Sequence, residues 1–126
     1  MIKKKKIYLV TGCAGFIGFH VCKMLLKKNH KVFGIDNMNN YYDVDLKKNR
    51  LQILKKDKNN FKFHKTDICN FKKLEQIFCK LKKFKVIHLA AQAGVRYSLK
   101  YPKTYVRSNI LGFWNVLELS KKYKFQ

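Results

Sequence analysis

Acidic side chains are scarce in this sequence. Seven Asp and Glu stand against 29 Lys and Arg, a formal net charge of +22 over 126 residues. An imbalance of that size attracts polyanions, so nucleic-acid binding is a rival to any other reading. Arginine, however, is nearly missing from the excess. Only Arg50, Arg96 and Arg107 carry the planar fork that recognition surfaces favour, while lysines are spread through KKKK, LLKKNHK, LKKDKNN and KLKKFK. That pattern describes a solvated lysine surface, and no specific nucleic-acid site is expected.

Long apolar runs are also missing, which excludes a bilayer-spanning helix. The opening MIKKKK has the charge of a signal-peptide start, but the apolar IYLV behind it gives way at once to Thr11 and glycine, so no targeting segment is expected. Cys13, Cys22, Cys69 and Cys79 form no CxxC pair and no metal-ligand spacing with the four histidines. They read as ordinary thiols of a reducing compartment; no metal site, no membrane partner and a cytoplasmic location are expected. What is present is 47% hydrophobic and 14% aromatic, enough to exclude a disordered chain. The length suits one domain and is short for an enzyme that holds both a cofactor and a substrate.

Periodicity supplies the fold class. Ile7–Val10 is a continuous apolar run, as in a strand buried on both faces of a parallel sheet. From Gly15 the period becomes helical, with Phe16, Ile17, Val21, Met24, Leu25 and Lys28 in one row. KVFGID, residues 31–36, closes a βαβ unit, and a tyrosine-bearing loop then leads to a helix over about 46–56 carrying Leu46, Leu51, Ile53 and Leu54. NFKFHKTD alternates and suits an edge strand; Asn70 or Asp67 caps a helix over 71–82 with Leu74, Ile77, Phe78 and Leu81 inward. KVIHLAA is a fourth strand, QAGVRYSLKYPKTY a loop, and Pro102 opens a last helix bearing Val106, Ile110, Phe113, Trp114 and Leu117. The expectation is α/β: a Rossmann-like, doubly wound parallel sheet of strand order 3-2-1-4.

The chain has only six glycines, and three of them, Gly12, Gly15 and Gly18, fall between the first strand and its helix. A helix amino terminus offers unpaired N–H groups and partial positive charge to a pyrophosphate, provided no side chain intervenes. Gly12 permits the tight turn, Gly15 the close approach, and Gly18 the packing of helix on sheet. The spacing is GxxGxxG. Asp36 ends the second strand, where a carboxylate accepts hydrogen bonds from an adenosine ribose and repels a 2′-phosphate, which favours NAD over NADP. Asp67, after the third strand, either faces the adenine or caps a helix.

VTGCAGFIGFHV, GIDNMNNYYDVDLKKNRL, VIHLAAQAGVRYSL and YVRSNILGFWNVLE together resemble the extended short-chain dehydrogenase/reductase family, and within it the nucleotide-sugar 4-epimerases acting on UDP-glucuronate. The resemblance runs from Ile7 to Glu118. It implies that Gly12, Gly15, Phe16, Ile17 and Gly18 surround the pyrophosphate of NAD, Asp36 and Asn37 the adenosine ribose, and Asp67 and Ile68 the adenine. It further implies that Leu89, Ala90, Ala91 and Gln92 line the nicotinamide half, and that Asn109 braces the nearby backbone. In such epimerases hydride leaves and returns to C4 of the sugar through a 4-keto stage, aided by a tyrosine with a lysine four residues on. No YxxxK occurs among the tyrosines of this sequence. In the family that motif follows a fifth strand, so residues 1–126 are expected to be the amino-terminal, NAD-binding portion, with catalytic residues and the substrate domain elsewhere. Neighbouring activities on this fold, a nucleotide-sugar dehydratase among them, stay open, as does a non-enzymatic basic module that binds polyanions or a partner subunit. Arg96 and Ser98, in the loop over the expected nucleotide-sugar position, are candidates to hold a uronate or diphosphate. The last helix is a candidate homodimer contact.

Overall fold

The computed structural model describes residues 4–123. Strands β1 (Ile7–Thr11), β2 (Lys31–Asp36), β3 (Phe61–Lys65) and β4 (Phe84–His88) are all parallel, in the order β3-β2-β1-β4. This is the expected 3-2-1-4 sheet. Successive residues point to opposite faces, so Leu9 and Val10, both fully buried, enter different cores. Leu9 joins Ile35, Leu74, Phe78, Phe84 and Leu119 on one side; Val10 joins Phe19, Cys22, Leu25, Val32 and Leu54 on the other. Burial of each such side chain contributes roughly 1.5–3 kcal/mol. Parallel strands need helical crossovers, and these supply the covering layers.

Helix α1 (Phe16–Lys27) and helix α2 (Val44–Lys55) cover the second face, and α3 (Phe71–Phe78) lies over the first. Asp43 caps α2 by accepting from the Asp45 and Leu46 amides, and Asn70 caps α3 by accepting from Lys73. Asp67 is therefore not the cap; it accepts from Cys69 N–H at 2.8 Å in a local turn. Leu74, Ile77, Phe78 and Leu81 are buried as their spacing predicts, although α3 stops at Phe78.

Three segments depart from expectation. In α1 the inward row is Gly18, Cys22 and Leu25, whereas Phe16, Ile17 and Met24 are 66%, 62% and 48% exposed. The reason is Gly18, where an added Cβ would come within 1.9 Å of the Gly12 carbonyl oxygen. That close approach fixes which side of the helix meets the sheet. In α2, Leu51 and Leu54 are buried but Leu46 and Ile53 are exposed, and Lys47 takes an inward place instead. The stretch after β4 is helical rather than a loop: α4 spans Val95–Lys100, and α5 (Pro102–Tyr105) continues through a π-helical segment, Val106–Gly112, into α6 (Phe113–Lys122).

The last helix also turns its other side inward. Val116 and Leu119 are buried while Val106, Ile110, Phe113, Trp114 and Leu117 are exposed. Gly112 lets the Ile68 side chain sit against the helix, and Asn115 Nδ2 donates to the Ile68 carbonyl at 2.9 Å, which holds this orientation. β4 pairs with β1 alone, so among the described residues its outer edge is open.

Candidate functional site

A cavity of about 330 Å³ opens at the carboxyl ends of β1, β2 and β4. Its size falls in the range of small-molecule sites, and its place is where open α/β sheets bind ligands. Gly12, Gly15, Phe16, Ile17, Gly18, Asp36, Asn37, Asp67, Ile68, Leu89, Ala90, Ala91 and Gln92 all contribute to its wall. Those positions, separated by up to 80 residues of chain, are brought together on one cavity.

The glycine turn builds the floor. Gly12 has φ +72, a left-handed conformation that favours glycine, and an added Cβ would meet the Leu89 and Ala90 backbone at 2.9 Å. Gly12 and Cys13 both donate to the Ile35 carbonyl, tying the turn to the end of β2. Gly15 caps α1 with ordinary backbone angles and offers no side-chain acceptor. An added Cβ there would meet only the Gly12 carbonyl oxygen at 3.2 Å and the Tyr42 hydroxyl at 3.6 Å. At the mouth of the α1 amino terminus Gly15 itself thus contributes no side chain, and the Tyr42 hydroxyl is the one side-chain atom within 4 Å of where its Cβ would stand. This cradle fits a dinucleotide pyrophosphate.

Asp36 is buried at the tip of β2, its Oδ2 accepting from Ala14 N–H at 3.1 Å and its Oδ1 from Met38 N–H at 2.8 Å. Opposite, Thr11 joins β1 to the turn after β4: its Oγ1 accepts from Leu89 and Ala90 N–H at 3.0 and 3.1 Å and lies 2.7 Å from His88 Nδ1. Burial lowers the His88 pKa below the ordinary histidine value, and the ring stacks on Phe113. Asn109, inside the π-helical segment, accepts from Gln92 N–H at 2.8 Å and donates to the Gln92 carbonyl at 3.0 Å. It sits behind the wall and braces that backbone.

Arg96 and Ser98 are not part of the cavity wall. Both lie on α4, Arg96 exposed and Ser98 donating through its hydroxyl to the Val95 carbonyl. Around them the tyrosines gather: Tyr41 packs on Tyr97, Tyr97 on Tyr101, and the Tyr105 hydroxyl donates to the Ala93 and Gly94 carbonyls. This links the loop after β2 to the segment after β4, across the cavity mouth.

Sequence reasoning missed Thr11, Tyr42, Lys47 and Arg50. Arg50 Nη1 donates to the Ala14 carbonyl at 3.1 Å and reaches Tyr42 Oη at 3.4 Å, so α2 grips the glycine turn. Partial burial pushes the Tyr42 phenol above the usual tyrosine value, against the pull of that guanidinium. The available signal was the three-residue spacing of Lys47 and Arg50, which places both on one side of α2. The two buried thiols are held protonated by their surroundings: burial raises Cys13 well above the ordinary thiol value, and Cys22 up to about 12. Among the described residues no group of three or more His, Cys, Asp or Glu could hold a metal ion, and no helix is long and apolar enough to cross a membrane.

Parallel order, glycine turn and terminal acid define a Rossmann-like, doubly wound α/β protein. The model of the family described as GDP-mannose 4,6 dehydratase matches residues 9–126, and the chain belongs to that family. Among its relatives are a UDP-glucuronate 4-epimerase of Thermodesulfobacterium geofontis, 55% identical over 92% of this chain and 36% of its own length, and a probable UDP-glucuronate 4-epimerase of Rhizobium meliloti, 50% identical over 90% of this chain and 33% of its own. A UDP-glucuronic acid 4-epimerase variant from Bacillus cereus, solved with a fluorinated UDP-glucuronic acid and NAD, superposes with a TM-score of 0.84 at 37% identity over 95% of this chain and 38% of that one. The chain spans about a third of the length of the relatives it matches.

Proposed function

We propose that this chain is the NAD-binding portion of a nucleotide-sugar 4-epimerase of the UDP-glucuronate type. The observation that carries the reading is the glycine cradle opening on one cavity with Asp36 at its far end. In that reading Gly12, Gly15, Phe16, Ile17 and Gly18 hold the pyrophosphate, with α1 amides as donors. Asp36 and Asn37 hold the adenosine ribose, and Asp67 and Ile68 border the adenine. Leu89, Ala90, Ala91 and Gln92 leave space for a flat ring, and Thr11 and Asn109 fix their backbone.

Bound NAD would supply redox chemistry at sugar C4, taking up hydride from one face and returning it to the other. The residues of this chain contribute placement. Asp36 orients the adenosine end, the glycine turn fixes the phosphates, and the small residues after β4 set how near the sugar can come. Arg96 and Ser98 stay candidates for the uronate or diphosphate from outside the cavity wall. Relatives of 55% and 50% identity favour epimerisation over dehydration, although the family bears a dehydratase name.

The test is a chimera in which residues 9–126 replace the matching stretch of the Thermodesulfobacterium geofontis enzyme, assayed with UDP-glucuronate. A 4-epimerised UDP-uronate with NAD retained supports the proposal. A folded chimera that binds no NAD, or that yields a dehydrated sugar, overturns it.

A further inference from the structure

Among the described residues the lysines stay at the surface, with one departure. Lys47 is only 4% exposed, and among the described residues no other lysine is buried. Its ammonium lies in the cavity wall, 3.6 Å from Asp36 Oδ1, donating to Asn39 Oδ1 at 3.1 Å and standing over the Tyr42 ring at 4.7 Å. Burying an ammonium is costly unless its charge is matched and its donors are used. Lysine has three donors, and the asparagine takes one. The ion-pair distance to Asp36 is longer than a hydrogen bond.

The carboxylate tells the complementary half. Both Asp36 oxygens already accept a backbone N–H, so a ribose hydroxyl meets an acceptor that is anchored and beside a cation. A hydroxyl both donates and accepts, and the pair presents one acceptor and one donor to it. A 2′-phosphate, in turn, meets an acid whose charge is offset within 4 Å.

We infer that Lys47 is a second ribose-binding side chain and that, by neutralising Asp36, it sets how strictly the site separates NAD from NADP. The inference rests on the cofactor reading above. It also revises the simple rule that the acid alone decides, because the local field is that of a pair.

Calorimetric titration of NAD and NADP into the wild type, Lys47→Met, Asp36→Asn and the double variant tests it, with circular dichroism as the folding check. K47M should weaken NAD about tenfold, the scale of one charge-assisted hydrogen bond, and NADP about a hundredfold, because the acid is then unopposed. D36N should shift the NADP to NAD affinity ratio about tenfold towards NADP, and the double variant should keep that shift, because with the acid gone the lysine has no charge left to neutralise, while binding NAD about tenfold more weakly than D36N. A lysine that only props up the fold would change both cofactors by one factor; that result in K47M, or a shift lost in the double variant, overturns the inference. If K47M does not fold, the double variant decides by comparison with D36N: an unchanged NAD affinity or a lost shift overturns the inference. A folded wild type that binds neither dinucleotide defeats the cofactor reading itself, and this inference with it.

Discussion

Gly15→Ala separates what the glycine turn does for the fold from what it does for a ligand. Gly15 has φ −70 and ψ 170, angles that alanine adopts freely. The added methyl would meet the Gly12 carbonyl oxygen at 3.2 Å and the Tyr42 hydroxyl at 3.6 Å, so only a shift of a few tenths of an ångström is needed. Glycine is also the better amino-terminal cap, and the combined cost to stability should be about 1 kcal/mol. Binding has more to lose. The methyl occupies the space through which phosphate oxygens reach the first amides of α1, and two charge-assisted hydrogen bonds at about 1.5–3 kcal/mol each correspond to a loss of a hundredfold or more in affinity. The assay pairs a thermal melt without ligand with a calorimetric NAD titration. A near-native melt with binding lost supports the reasoning; a near-native melt with wild-type affinity refutes it.

Gly18→Ala should do the reverse, acting first on the fold: the 1.9 Å approach of its methyl to the Gly12 oxygen leaves no room, and a loss of about 3 kcal/mol or more should lower Tm by about 10 °C, whereas an unchanged melt would contradict the packing described. His88 and His64 both have pKa values held below normal, chiefly by burial, so the unfolded chain takes up more protons as pH drops below about 6.5. Stability should therefore be full above that pH and fall beneath it, and a denaturation midpoint constant from pH 8 to pH 5 would count against this. The open edge of β4 and the exposed row Ile110, Phe113, Trp114 and Leu117 should make residues 1–126 self-associate, which size-exclusion chromatography with light scattering measures; a clean monomer at 100 µM-scale, roughly the regime where exposed edges pair, would show that edge and row are tolerated.

The architecture was legible because its signals are local and agree with one another. Continuous apolar strands, lysine-bearing helices between them and an alternating edge strand leave little choice of order, and the sheet follows it. Helix orientation was harder to read. In α1 the row Phe16, Ile17 and Met24 has helical spacing, yet the Gly18 contact with Gly12, between residues that meet only after the turn closes, decides the inward side. The last helix shows the same effect: its apolar row is exposed, and the inward side is set by Gly112 against Ile68 and by the Asn115 hydrogen bond across 47 residues. The glycine turn and Asp36 could be picked out because motifs of residue type mark them, and the wall after β4 because the family resemblance carried it over. Thr11 could not, since it looks like a strand-end hydroxyl, and Lys47 offered only its three-residue spacing from Arg50 in a chain where it otherwise looks like one more surface lysine. Their roles come from partners distant in sequence, His88, Leu89 and Ala90 for Thr11 and Asp36 for Lys47.

Amide chemical shifts of ¹⁵N-labelled protein during titration with NAD test the central claim most directly. The account predicts saturable changes centred on Gly15, Phe16, Ile17 and Gly18, with Met38 and Ala14, the two amides on Asp36, moving alongside. Shifts confined to the lysine-bearing outer faces, or none at all in a folded sample at millimolar NAD, roughly the weak limit for a specific site, would contradict it.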